Sequence, residues 1–172
     1  MSSSADLLLN LERYKHSLCW LVADLMLKKK VYLATAESCT GGLIAAACTD
    51  LAGSSQWFDR GFVTYSNAAK TDMLGVDAAL ITQFGAVSEQ VAAAMAQGAV
   101  KHSAAQVALA VTGVAGPAGG SAEKPVGTVW IGWLVDGKIT TQLCHFDGDR
   151  ATVRTLTVQQ ALQGLIERLQ FT

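Results

Sequence analysis

At 172 residues the chain has the length of one domain, and no Pro/Ser-rich stretch or run of charge divides it, so residues 1–172 are read as a single unit. Hydrophobic residues make up 51% and charged residues 16%, which leaves ample apolar surface to bury around a central sheet and excludes a disordered polymer. The formal net charge of −1 carries no electrostatic footprint for nucleic acid.

Lys28-Lys29-Lys30 is a short basic run at the end of a predicted helix, where cations complement the helix dipole. A lone triplet is too weak to anchor the chain to a membrane surface. No apolar stretch reaches the roughly 18–20 residues that span a bilayer. The start Met1-Ser2-Ser3-Ser4-Ala5-Asp6 lacks the basic segment of a signal peptide, so a cytoplasmic protein is expected. Cys19, Cys39, Cys48 and Cys144 form no Cys-x-x-Cys pair, and His16, His102 and His145 are equally scattered. Neither a zinc site nor a disulfide framework is expected, nor any cofactor, and Cys19, Cys48 and Cys144 read as small buried hydrophobes.

In chain order, Leu7, Leu11, Tyr14, Leu18, Leu21 and Leu25 recur at steps of three and four, predicting a helix to about Lys30 with this stripe against a sheet. Val31 to Ala36 reads as a buried strand, and the chain turns at Glu37-Ser38 into a helix from near Gly41 to near Asp50. Trp57 to Tyr65 is β-rich, interrupted by Gly61, and leads through Ser66-Asn67 into a helix bearing Lys70. Asp77 caps a short helix through Phe84, and Ser88 caps a longer one through Lys101. Val107 to Val114 is a continuous apolar strand of the kind buried on both faces.

The Gly- and Ala-rich stretch Gly113 to Gly127 is a loop longer than a connector needs. Thr128 to Val135 and Lys138 to Phe146 form a hairpin through Asp136-Gly137. Asp149 caps a final helix to about Gln170, with Val153, Leu156, Val158, Leu162, Leu165, Ile166 and Leu169 as its apolar stripe. The expected fold is α/β, a three-layer α/β/α sandwich on a mixed central sheet of about five strands.

Three polar segments follow predicted strand ends: Glu37 to Gly42, Tyr65 to Lys70 and Thr112 to Gly120. Ligands collect at the carboxyl ends of strands in such sheets. Ser38, taken alone, reads most simply as a helix cap. The pair Gly41-Gly42 changes that balance, because it lets a ligand approach the backbone while amides of a helix start hold a developing oxyanion. Ser38 is then a nucleophile. No histidine lies near these strand ends, so Lys70 is the candidate base, provided burial lowers its pKa enough to leave the amine neutral. From spacing alone, Lys70 reads more readily as a solvated helix residue, because lysine is mostly exposed. Cys39 is a rival nucleophile, since a helix N-terminus favours the thiolate.

Gly113-Val114-Ala115-Gly116-Pro117-Ala118-Gly119-Gly120 matches neither a dinucleotide nor a P-loop fingerprint, and reads as a plain loop or as a nest of amides for phosphate. Arg150 and Arg154, one turn apart, are surface charges or contacts to a substrate phosphate.

The blocks Thr35-Ala36-Glu37-Ser38-Cys39-Thr40-Gly41-Gly42, Gly61-Phe62-Val63-Thr64-Tyr65-Ser66-Asn67-Ala68-Ala69-Lys70, Gly85-Ala86-Val87-Ser88-Glu89, and Thr112 to Pro117 with Pro125 to Trp130 together resemble the CinA C-terminal domain family. That resemblance implies an α/β/α sandwich and hydrolysis of the carboxamide of nicotinamide mononucleotide, a small-molecule substrate, to nicotinic acid mononucleotide and ammonia. It implies Ser38 as nucleophile, Lys70 as general base and Tyr65 as the group that assists or orients the lysine. Glu37, Cys39, Thr40, Gly41, Gly42, Thr112, Gly113 and Arg154 are implied to line the substrate site.

The chain shows no stretch resembling the pyrophosphatase-like domain of longer CinA proteins, so that activity is not expected. A non-catalytic nucleotide-binding or regulatory domain is the alternative to an enzyme. A homodimer is possible, with Trp57, Phe58 or Trp133 at an interface, although core packing is the commoner fate of such aromatics.

Overall fold

The computed structural model describes residues 4–171, with side chains from Leu9 onward. Five strands, β1 (Leu33–Glu37), β2 (Phe58–Val63), β3 (Val107–Gly113), β4 (Thr128–Val135) and β5 (Lys138–His145), form one sheet in the order β2-β1-β3-β4-β5. The first three are parallel, and β4 and β5 return antiparallel. The carboxyl ends of β2, β1 and β3 therefore lie side by side.

Six helices cover the sheet: α1 (Ser4–Lys29), α2 (Leu43–Thr49), α3 (Asn67–Leu74), α4 (Ala78–Phe84), α5 (Glu89–Lys101) and α6 (Arg150–Gln170). Strand alternation sorts them into two layers. Leu33, Leu109 and Ile131 join one apolar cluster with α1, α2 and α6, whereas Ala34, Ala36, Ala108 and Ala110 join another with α3, α4 and α5. What reads in the sequence as a continuous apolar run is a large face and a small one. The small face admits α5 so closely that a Cβ on Gly132 would sit 2.7 Å from the Ala92 carbonyl oxygen. Gly61 stays within β2, where a Cβ would meet Ala45 and Thr35 at 2.9 Å, so this glycine lets α2 close on the sheet.

The local signals produce the expected ends. Ser66, Asp77, Ser88 and Asp149 each accept an amide of the helix they cap. Asp136 and Gly137, with φ of 49° and 73°, turn the hairpin. The second helix begins at Leu43 rather than near Gly41, because Gly41 and Gly42 are spent on the turn with φ of 61° and 99°.

One expectation is corrected, and one of two alternatives is selected. Tyr14 and Leu21 of the α1 stripe are about half exposed; the buried face runs through Leu18, Cys19, Val22 and Met26, and Leu7 lies outside the described side chains. Apolar residues also stand on the exposed side of this helix, Leu9, Trp20 and Leu27 among them, so its period does not single out one face. Trp57 and Trp133 are core residues, not interface residues, and Phe58 packs partly buried beside them. Trp133 donates its indole N–H to the Ala161 carbonyl at 2.9 Å, and the Arg168 guanidinium stacks 3.7 Å over its ring centre. Among the described residues no helix is long and apolar enough to cross a membrane.

Candidate active site

Ser38 follows the last residue of β1, and its amide donates to the Val111 carbonyl at 3.1 Å, carrying the strand register one step past the sheet. The turn that follows is held from inside by Glu37, which is 1% exposed. One carboxylate oxygen accepts the Thr40 hydroxyl at 2.6 Å and the amides of Gly42 and Ile44 at 3.1 and 3.0 Å; the other accepts the Ala45 amide at 2.8 Å. The N-terminus of α2 is thus occupied by an anion of the protein itself. No side chain of the turn is available to cap it, and Glu37 takes that role from the end of the strand.

This corrects two expectations. Glu37 and Thr40 brace the turn instead of lining the substrate cleft, and the first amides of α2 are already committed. Gly41 donates its amide to the Ser38 carbonyl at 3.0 Å, and Leu43 donates to Thr40 at 3.3 Å. Along this turn, the amides of Cys39 and Thr40 are the ones that no carbonyl or carboxylate of the described residues receives.

Lys70 reaches Ser38 from the opposite layer. It lies on α3, whose start is set by the Ser66 cap, and its ammonium stem runs inward to 1% exposure. Nζ sits 3.1 Å from Ser38 Oγ and donates to the Thr64 carbonyl at 3.0 Å. No carboxylate of the described residues pairs with it. Burial pushes its pKa below the usual lysine range, because the charged form loses its water. The solvated-helix reading of Lys70 is overturned. Tyr65, which lines the same cleft, is itself 61% exposed.

A cleft of about 200 Å³ opens over this pair, lined by Ser38, Cys39, Tyr65, Lys70, Thr112 and Gly113 from the expected set. The Thr112 hydroxyl donates to the Ala86 carbonyl at 2.8 Å, tying the end of β3 to the segment before α5. Cys39 is buried, and that burial raises its thiol pKa to about 11, so it is a poor nucleophile near neutrality.

Asn67, Ala115 and Arg150 line the cleft as well; the first two lie in polar segments expected after strand ends, and Arg150 is one of the two arginines weighed for a substrate phosphate. For Arg150 the signal was present: the Asp149 cap makes it the first residue of α6, at the rim of the strand ends. Its guanidinium donates to the Gly116 carbonyl at 2.8 Å and to the Tyr65 hydroxyl at 3.0 Å. Arg154 lies instead in an adjoining cleft, donating to the Thr40 carbonyl at 2.9 Å, while its buried Nε has no acceptor. Gly41 and Gly42 stay in the turn behind Ser38, outside the cleft lining.

A buried serine, a lysine in contact with it whose burial disfavours the charged form, and turn amides without a partner are the parts an acyl-transfer site needs. Neither His102 nor His145 enters the cleft.

The CinA C-terminal domain profile matches residues 15–169. The chain is 52% identical over 161 residues to nicotinamide-nucleotide amidohydrolase PncC of Enterobacter agglomerans, covering 91% of this chain and 98% of that protein. It is 56% identical over 133 residues to the protein of the same name from Pseudomonas putida, covering 77% and 83%. The crystal structure of competence/damage inducible protein CihA from Agrobacterium tumefaciens superposes with a TM-score of 0.86 at 48% identity, covering 91% of this chain and 96% of that one. On the profile match and on these identities, the chain belongs to the CinA C-terminal domain family.

Proposed function

We propose that the chain hydrolyses the carboxamide of nicotinamide mononucleotide to nicotinic acid mononucleotide and ammonia, a step of pyridine nucleotide recycling. The names of the relatives at 52% and 56% identity support the substrate. The observation that carries the chemistry is the 3.1 Å approach of a buried Lys70 amine to the Ser38 hydroxyl.

Lys70 acts as the neutral amine. With one of its hydrogens on the Thr64 carbonyl, its lone pair takes the Ser38 proton as Oγ attacks the carboxamide carbon. The carbonyl oxygen becomes an oxyanion, which the Cys39 amide at the cleft stabilises. The lysine then returns its proton to the departing nitrogen, ammonia leaves and a Ser38 ester remains. Water, deprotonated by the same amine, cleaves that ester and restores the serine.

Tyr65 assists from the rim, and Thr112 and Gly113, at the end of the neighbouring strand, line the cleft beside the nucleophile. Arg154 contributes positive charge from the adjoining cleft. The enzyme works in the cytoplasm, a reading supported by four free, buried cysteines, which suit a reducing compartment.

The deciding experiment is ammonia release from nicotinamide mononucleotide by the purified protein. Turnover that falls at least about 1,000-fold in Ser38→Ala and in Lys70→Ala, with folding retained, supports the mechanism. Saturable binding without any ammonia would make the chain a nucleotide-binding domain instead.

A further inference from the structure

The Ser38 cleft opens at Ala115 and Arg150, which line both spaces, onto the adjoining cleft of about 450 Å³. Drug-sized ligands occupy about 300–1,000 Å³, so the 200 Å³ over Ser38 takes a ring with its carboxamide and little more. The remainder of a nucleotide enters the second space.

Three charged residues face that second space: Arg150, Arg154 and Asp149. Asp149 is engaged as the α6 cap, accepting the Thr152 amide at 2.8 Å. Arg154 is tied to the floor through Thr40. Arg150 differs from both, because it stands at the boundary, is exposed and spends its guanidinium on two neutral acceptors, Gly116 O and Tyr65 Oη. A phosphate dianion is a much stronger acceptor for the same fork of N–H groups.

We infer that Arg150 is the specificity-determining residue for a phosphomonoester on the substrate, and that it exchanges its bonds to Tyr65 and Gly116 for bonds to that phosphate. The inference rests on the amidohydrolase reading and deepens it. The exchange releases the Tyr65 hydroxyl at the mouth of the Ser38 cleft only when a phosphorylated substrate is present. Binding energy gained at a remote group then reaches the reacting centre, so a substrate without the phosphate loses kcat as well as affinity.

The test compares nicotinamide mononucleotide with nicotinamide riboside in the wild type, Arg150→Met and Arg150→Lys, reading kcat and KM for each pair. The wild type is expected to favour the mononucleotide about 100-fold or more in kcat/KM, with part of the difference in kcat. Arg150→Met is expected to shrink that ratio at least about 10-fold, and Arg150→Lys to shrink it less, since it keeps the charge without the fork. Equal slowing of both substrates, or an unchanged ratio, overturns the inference and leaves Arg150 a brace between Tyr65 and Gly116. If the wild type releases no ammonia from either compound, the amidohydrolase reading is what falls. The ratio of dissociation constants for the same two ligands, by calorimetry on the same three proteins, then decides the role of Arg150.

Discussion

The Glu37 carboxylate accepts the Ala45 amide at 2.8 Å, eight residues further along the chain, and so clamps the end of β1 to the start of α2 around Ser38. With Thr40, Gly42 and Ile44 on its other oxygen, the carboxylate offsets the partial positive charge of the helix start. Replacing it strands these donors and the Thr35 hydroxyl, which also donates to the carboxylate, in a buried turn. Glu37→Ala is expected to cost about 3 kcal/mol, from unsatisfied buried groups and a lost cap. Glu37→Gln keeps one acceptor but sets an amide N–H against amide donors, and is expected to cost about 2 kcal/mol. Urea unfolding measures both; a Glu37→Ala protein as stable as the wild type would show that the turn holds itself.

Lys70 gives the pH dependence. Its folded pKa lies below that of the unfolded chain, and the neutral form is the active one. Activity is therefore expected to rise with pH through that lowered value. The stability sign follows the same group: between the folded value and the ordinary lysine value of 10.5, the unfolded state binds more protons, so stability climbs with pH across that window. Below the folded value the cost of burying the charge is felt in full. Lys70→Met is expected to abolish turnover while leaving the protein at least as stable at pH 7, because an amine that gives up either its proton or its water on burial is replaced by an apolar side chain of similar length. Thermal unfolding at pH 7 and pH 10 separates the cases; a variant destabilised equally at both would mean that burial of the charge costs nothing.

Cys39 adjoins the nucleophile and is expected to be chemically quiet. With its pKa at about 11, roughly one thiol in a thousand is ionised at pH 8. Iodoacetamide at that pH is expected to leave activity intact over a time that fully labels an exposed thiol. Cys39→Ala is expected to keep activity within about 10-fold, since the buried side chain supplies packing and not chemistry. Loss of activity in step with labelling of Cys39 would restore the thiol as a nucleophile.

Gly98 sets the distance between α5 and the helix that carries Lys70. A Cβ there would run into the carbonyl oxygen and Cβ of Leu74, the last residue of α3. Gly98→Ala gains about 1 kcal/mol of helix propensity, yet a net loss of about 2 kcal/mol is expected, because the helices must part. Turnover is expected to fall as well, since Lys70 moves with α3, while the exposed Gln97→Ala leaves both properties unchanged. Denaturation and the ammonia assay on the two variants provide the comparison; a Gly98→Ala protein stabilised by its propensity gain would mean that the interface is loose.

How far the sequence reaches is visible in particular residues. Ser66, Asp77, Ser88 and Asp149 marked helix starts, and Asp136-Gly137 marked the hairpin, because capping and tight turns are contacts over two to four residues that the chain carries wherever it folds. The stripe of α6 was legible for the same reason, since its apolar residues follow the helical period and its polar ones do not. On α1 that contrast is missing, and only packing against α6 chose the buried face.

Ser38 and the turn of two glycines were also readable by themselves. The burial of Lys70, the capture of the α2 amides by Glu37 and the placing of Arg150 rather than Arg154 over the nucleophile were not. Each depends on where α2, α3 and α6 land on a sheet in which β1 pairs with the distant β3, and side-chain reach across such gaps has no period. Local sequence determines which backbone turns where. Whether a lysine 32 residues from a serine loses its water and comes within 3.1 Å of it is decided when the layers close, because desolvation and proton transfer depend on distances that tertiary packing alone creates.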